Sequence, residues 1–364
     1  MALIVGTQIG AGILGLPKVL APLGFFWGPV VLFITALLLA MTAVMLVEAI
    51  YLTNPRYHYF DLASHYLGRL GAVLVLTVLY AGYGALVAYI SGLGQVLSSF
   101  AGGNPVFWAF LAWTVLSALV FIGLRLSGPA EESLTVLMVL LVVTIFLWAL
   151  PEMKPFTARF DFSAFAVALG VSVFAFAGHT VIPEVVQGVR NMNRTILAIL
   201  FSFSLVFIVY ALFSLSIMGV AGSEVTDIGT QVLVGNLGSD LSFIALLLPL
   251  LTITTSFIGV GIAQRDILKE IVRNRFLAWL LAVVPPLLVY LSGYGAFVSM
   301  IWLASFGIIV ACGILPPLLL LCARKERRRS LTPIPDWFAY VTLAFFSVML
   351  AYSVAGAVFG FVRA

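Results

Sequence analysis

Gly10-Ala11-Gly12-Ile13-Leu14-Gly15-Leu16-Pro17 and Ala175-Phe176-Ala177-Gly178-His179-Thr180-Val181-Ile182-Pro183 decide the fold. Each lies inside a long apolar run and sets a glycine five residues ahead of a proline, Gly12 before Pro17 and Gly178 before Pro183. Glycine disfavours a helix interior by about 1 kcal/mol relative to alanine and proline by about 3 kcal/mol, so both runs are expected to break at mid-span. A break releases N–H and C=O groups at membrane depth, which is costly unless they line a cavity or bind something. One such stretch alone reads equally well as a packing face of small residues, with Gly6 and Gly10 on it. Gly12 to Gly178 and Pro17 to Pro183 are both offsets of 166 residues, so the two form a matched pair.

The composition agrees. Of 364 residues, 63% are hydrophobic and 9% charged, with a mean hydropathy of +1.20, far outside the range of a soluble domain. A spanning helix needs roughly 20 apolar residues. Apolar runs between charged or Gly/Pro-rich breaks predict spans at 2–24, 27–53, 72–100, 104–125, 131–150, 160–190, 194–220, 240–265, 275–293, 295–322 and 336–362. Adding 166 to the centres of spans two to five lands inside spans seven to ten. Five crossings is an odd number, so the second half enters from the opposite side. The expectation is an all-α polytopic membrane protein with eleven transmembrane helices in a 5+5 inverted repeat plus one helix. Residues 1–150 form the first repeat, broken near 8–12, residues 160–322 the second, broken near 175–180, and 323–364 a basic loop and the last helix.

With the N-terminus inside, Arg56, Arg69, Arg125, Arg190, Arg194, Arg265, Lys269, Arg273, Arg275, Arg324, Lys325, Arg327, Arg328 and Arg329 all fall in cytoplasmic loops, and only Lys18, Lys154, Arg159 and Arg363 fall elsewhere. Lys325 to Arg329 abut a span and read as a lipid-headgroup anchor, not a nucleic-acid patch. A signal peptide is disfavoured, since no basic residue precedes the first run and Lys18 interrupts it. Met1 stands at the membrane edge, so a few native residues ahead of it are expected. Cys312 and Cys322 share one apolar stretch and make neither a disulfide framework nor a zinc site. Three scattered histidines and the absence of any Gly-Lys dipeptide argue against haem and against ATP-driven pumping.

The first motif, together with Phe174-Ala175-Phe176-Ala177-Gly178-His179, Glu184 and Gln187, resembles the amino acid/auxin permease family of the amino acid–polyamine–organocation transporters. The hydroxy/aromatic amino acid permeases of prokaryotes are a close alternative. The resemblance implies the fold of the sodium-coupled leucine transporter and a secondary transporter in the prokaryotic inner membrane, carrying an amino acid with Na+ or H+. Its partners are then that amino acid, the coupling cation and membrane lipid, with no cofactor other than a sodium ion, no nucleic acid and no obligate protein partner. A neutral substrate is expected, because no charged side chain is positioned to pair with a charged one. An amino-acid sensor or uncoupled facilitator on the same fold stays open, and an intramembrane enzyme lacks a placed nucleophile partner or metal.

In such a fold the N–H groups near Ala11 and Gly12 face the substrate carboxylate at a helix N-terminus, with glycine permitting close approach. The carbonyls of Phe174, Ala175, Phe176 and Gln8 accept from its ammonium group. By resemblance, Phe176 or Phe174 closes the pocket and a tyrosine of the third span covers it, Tyr83 first, Tyr80 and Tyr89 as substitutes. By the same resemblance Thr255 and Ser256 join the carbonyls of Gly6 and Ile9 around sodium, although such hydroxyls often bond their own helix one turn back. His179 and Glu184 are the proton-coupling candidates. Glu48 and Glu184, about 8 to 9 Å from the ends of their spans, equally suit a gate paired to Arg190 or Arg194. Residues 222–240 read as an outer lid or a plain loop, and 54–71 as an amphipathic segment on the membrane surface.

Overall fold

The computed structural model describes residues 1–123, 128–222, 224–233 and 239–360. Among them the fold is helical, with one isolated bridge between Gly24 and Thr157 and no strand. Helices α1 (Ala2–Gln8) and α2 (Gly12–Leu20) divide one apolar run. After a tight turn come α3 (Gly24–Thr53), the short α4 (Tyr59–Leu67), α5 (Ala72–Ala101), α6 (Pro105–Ile122) and α7 (Gly128–Ala149). A second run is divided into α8 (Phe162–Ala175) and α9 (Ile182–Val189), followed by α10 (Met192–Ala221), α11 (Ser239–Val272) and α12 (Arg275–Leu291). A π-helical turn, Ile309–Ile314, joins α13 (Phe297–Ile308) to α14 (Leu315–Arg327), and α15 (Asp336–Phe359) ends the described chain.

The helices start and stop where local chemistry says they should. Asn104, Asn191, Asn274 and Asp161 each turn a side-chain oxygen onto an N–H of the next helix's first turn, at 2.6–3.0 Å. Gly24 enters α3 with φ 68°, where a side chain would be strained, and its missing Cβ admits the Ala158 N–H. In the core α5 packs against α13, α6 and α11, α10 against α3, and α2 against α8.

Nine helical segments among the described residues are long and apolar enough to cross a membrane, so the chain is an integral membrane protein. The eleven expected spans differ because Gly12–Thr53 counts as one segment despite its turn, and because α12 has only 17 residues. Between the expected surface segment's ends, α4 is amphipathic, burying Tyr59, Leu62 and Ala63, and the Tyr59 hydroxyl donates to the Ala311 carbonyl of the π-helical turn. In the expected lid, Val225, Ile228 and Leu233 are buried and Lys18 Nζ donates to the Val225 carbonyl at 2.8 Å. Residues 223 and 234–238 of that lid, Arg125 and Arg363 lie outside the described residues.

Candidate functional site

The first break begins at Ile9, whose ψ of 81° leaves the helix. The N–H of Gly10, which would have closed the ladder on Gly6, turns to the Gln8 carbonyl at 2.8 Å. Ile13 N–H takes the Gly10 carbonyl at 3.3 Å in place of Ile9, and Ala11 N–H donates to Ser256 Oγ of α11 at 3.1 Å. The carbonyls of Gly6 and Ile9 are thereby released from the helical ladder.

At the second break α8 stops at Ala175 and the chain runs irregularly through Phe176–Gly178 into the 3-10 turn His179–Val181. Three cross-links tie the breaks together. Gln8 Nε2 donates to the Phe176 carbonyl at 3.0 Å, and the Tyr210 hydroxyl of α10 lies on both the Gln8 carbonyl and the Ala175 carbonyl, the latter at 2.9 Å. Ala177 N–H occupies the Phe174 carbonyl at 3.2 Å. Carbonyls expected to stand unpaired therefore already have donors, because a buried C=O without one is costly. The Ala175 and Phe176 carbonyls each keep a second lone pair, the Gln8 carbonyl is taken by both Gly10 N–H and Tyr210, and the buried Gln8 Oε1 has no partner at all.

Gly12 corrects a second expectation. A Cβ there would stand 2.9 Å from Ala175 Cα and 3.4 Å from Phe174 Cδ1, so what its missing side chain admits is helix α8 rather than a ligand. The phenylalanines divide their work. Phe176 is fully buried against Phe203 and Tyr210, whereas Phe174 is partly buried beside Gly12.

Tyr83 is not brought to the breaks: its hydroxyl donates to the Leu281 carbonyl of α12 at 2.9 Å. Tyr89, one of the named substitutes, is buried, with its phenol near Ser256. Tyr80 is largely exposed. Of the hydroxyl pair on α11, Ser256 meets the first break, and Gly10 packs against it. Thr255 Oγ1 donates back to Leu251 at 2.8 Å, the one-turn bond that membrane hydroxyls commonly make.

The ionisable groups separate as sharply. His179 is fully buried, its Nε2 is 2.8 Å from Thr42 Oγ1, and its Nδ1 has no partner. Thr42 Oγ1 also lies 3.0 Å from the Leu39 carbonyl, and which of the hydroxyl and the imidazole donates in their shared hydrogen bond depends on the tautomer. No carboxylate pairs with it among the described residues, and an uncompensated charge there is costly. Glu184 stands exposed on α9. Glu48 pairs with neither Arg190 nor Arg194. It is fully buried and takes a two-pronged bond from Arg324, Nε to Oε1 at 2.9 Å and Nη2 to Oε2 at 2.6 Å. Gln187, part of the second motif, donates from Nε2 to the Arg56 carbonyl at 3.3 Å.

Sequence reasoning missed Tyr210 and Arg324. A tyrosine near the middle of an apolar run was the available signal for the first, and a buried Glu48 in need of a cation for the second.

Two interrupted helices, locked through Tyr210 inside a multi-spanning bundle, define a membrane transport protein. Comparison with known proteins gives the branch. The chain belongs to the tryptophan/tyrosine permease family, whose sequence model matches residues 1–354, and it is a transporter, not an enzyme. It is 26% identical to tyrosine-specific transport system 1 of Haemophilus influenzae, over 94% of this chain and 91% of that protein. It is 25% identical to the low affinity tryptophan permease of Escherichia coli, over 89% and 86%. The manganese transporter of Eremococcus coleocola, solved as a mutant, superposes with a TM-score of 0.65 over 97% of this chain and 87% of its own at 14% identity, a likeness of fold alone. Of the two families named from the motifs, the amino acid/auxin permeases are not the one found, and the two sequence relatives are aromatic amino acid permeases.

Proposed function

We propose that the chain is a secondary active transporter that carries an aromatic amino acid, tryptophan or tyrosine, together with sodium by alternating exposure of a site at the two breaks. The observation that carries this reading is the release of the Gly6 and Ile9 carbonyls within a few residues of Ala11, whose N–H is held by Ser256. Oxygen-only ligation suits a hard cation. Ser256 turns from Ala11 to the ion, Thr255 follows by a rotamer change, and the freed N–H groups of Ala11 and Gly12 receive the substrate carboxylate. Gln8 Oε1, with the second lone pairs of Ala175 and Phe176, accepts from the ammonium group. Phe174 and Tyr89 supply the aromatic walls, which fits the names of the relatives. In this reading α1 and α2 are one crossing, α8 and α9 another, and α12 completes eleven, arranged as two inverted five-helix repeats plus α15. The N-terminus and the basic loops face the cytoplasm of a bacterial inner membrane. The neutral setting of His179 favours sodium over protons.

The test is uptake of labelled tryptophan and tyrosine into proteoliposomes under a sodium gradient and, separately, a proton gradient. Accumulation driven by sodium alone, with saturable counterflow, is expected. Accumulation driven only by protons overturns the sodium assignment, and binding without counterflow under either gradient makes the chain a sensor.

A further inference from the structure

The basic end of α14 carries the densest charge in the molecule, and the proposed transport cycle leaves it unexplained. There α14 and α15 diverge around a cavity of about 580 Å³. Leu318 and Leu321 from α14 and Leu343 from α15 wall it, and Lys325, Arg328 and Arg329 rim it. The chain reverses at Arg328, whose φ of 49° is left-handed, and this brings the rim cations round to one mouth. Their neighbours are already committed. Arg324 is held by Glu48 and, at 2.6 Å, by Asp336, while Glu326 stands 3.6 Å from Arg327 and 3.7 Å from His65. Lys325, Arg328 and Arg329 have no ion-pair partner among the described residues.

We propose that this groove is a binding site for an anionic diacyl phospholipid. The phosphodiester sits between Lys325, Arg328 and Arg329, and one acyl chain lies along Leu318, Leu321 and Leu343. Three features select this occupant. The cavity and its floor hold four cations against two carboxylates, Glu48 and Asp336, so a net negative headgroup is attracted and a choline headgroup is opposed by the rim. The walls are apolar, and α15 sets Tyr340 in the cavity lining and Trp337 near it, both mostly exposed, as residues at a headgroup boundary are. A free anion leaves those walls unused. The N-terminus of α15 opens on the same cavity and offsets the opposite dipole of α14's C-terminus.

The site also touches the strap 328–335. Ser330 lines the cavity, and the next two residues hold Glu48, Leu331 through its N–H at 2.8 Å and Thr332 through its hydroxyl. A headgroup bound at the rim therefore braces the strap that fastens α3 to α14 and α15.

The experiment uses the full chain in detergent, incubated with dioleoyl phosphatidylglycerol, dioleoyl phosphatidylcholine or inorganic phosphate, and reads retained lipid by native mass spectrometry and the melting temperature in parallel. Preferential retention of phosphatidylglycerol with a rise in Tm is expected. Combined Lys325→Gln, Arg328→Gln and Arg329→Gln substitutions should weaken that retention about tenfold or more and leave phosphatidylcholine unchanged. Lys269→Gln with Arg273→Gln, on the exposed end of α11, is the matched control and should change neither. Leu343→Trp, which fills the groove without altering charge, should lower retention even if the triple variant folds poorly. Equal retention of the two lipids, an unaltered triple variant, or displacement of phosphatidylglycerol by inorganic phosphate at equal concentration overturns the proposal. Each readout is independent of transport, so its failure is distinguishable from failure of the uptake test.

Discussion

Two buried polar centres among the described residues, the helix breaks and the Glu48–Arg324 pair, are built from different materials. At the helix breaks every partner is a neutral dipole: the Tyr210 hydroxyl, the Gln8 amide, the Ser256 hydroxyl and backbone carbonyls. At the basic end full charges meet, with Glu48 enclosed by Arg324, Leu331 N–H and Thr332, and Arg324 shared with Asp336. Removing one member of a buried ion pair strands the other in a low dielectric, so such a centre holds its elements firmly. Neutral hydrogen bonds exchange partners at small net cost, about 0.5–1.5 kcal/mol each, so a ligand can replace them. The comparison teaches that full charges fasten α3 to α14 and α15, whereas exchangeable dipoles line the breaks where the proposed site lies.

The contrast can be broken from the strong end first. Glu48→Ala, which removes the buried carboxylate of the Arg324 pair and leaves the guanidinium to Asp336, the Ile334 carbonyl and the Thr332 hydroxyl, is expected to cost about 3–5 kcal/mol of stability. Thermal or denaturant unfolding in detergent checks it, and a loss below about 1 kcal/mol would show that the pair fastens little. Gly12→Val comes next. Its Cβ alone would stand 2.9 Å from Ala175 Cα, and overpacking of this kind costs about 1–3 kcal/mol. Uptake should fall to background in protein that still reaches the membrane, and near-normal uptake would remove the breaks from the site. Tyr210→Phe should lower stability by about 1–2 kcal/mol and reduce uptake severalfold, since it uncovers the Ala175 carbonyl and leaves the Gln8 carbonyl to Gly10 N–H alone. The smallest effects sharpen the tyrosine assignment: Tyr89→Phe should raise KM for the amino acid, whereas Tyr83→Phe, whose hydroxyl serves Leu281, should leave KM unchanged. Glu184→Gln, at an exposed position, is expected to shift stability by less than about 0.5 kcal/mol and to leave the pH profile of uptake in place.

The interruptions could be read directly because glycine and proline act on their own backbone, and a five-residue spacing repeated at an offset of 166 is visible in one dimension. What closes the breaks could not. Tyr210 reaches Gln8 across 202 positions and Arg324 reaches Glu48 across 276, and neither partner is marked by spacing. Helix rotation was equally hidden. Tyr83 and Tyr89 are six residues apart, about 240° around a helix, so they face different neighbours. In a run that is apolar on nearly every side, no polar stripe reveals which one turns inward. The same uniformity concealed Gly12's role, since a small residue serves helix contact and ligand contact alike until the opposing surface is known. The two motifs did not decide between the amino acid/auxin permeases and the hydroxy/aromatic amino acid permeases named beside them, whereas the match to the tryptophan/tyrosine permease family runs over residues 1–354.

The central claim, that sodium and an aromatic amino acid occupy the breaks together, is tested most directly by equilibrium binding of labelled tryptophan to the purified protein, in sodium and in choline buffer, for the native chain and for Ser256→Ala. Sodium should tighten tryptophan binding by about tenfold or more, a coupling of about 1.4 kcal/mol, and Ser256→Ala should abolish the difference. Binding that is equally tight in both buffers, or a sodium dependence untouched by Ser256→Ala, would contradict it.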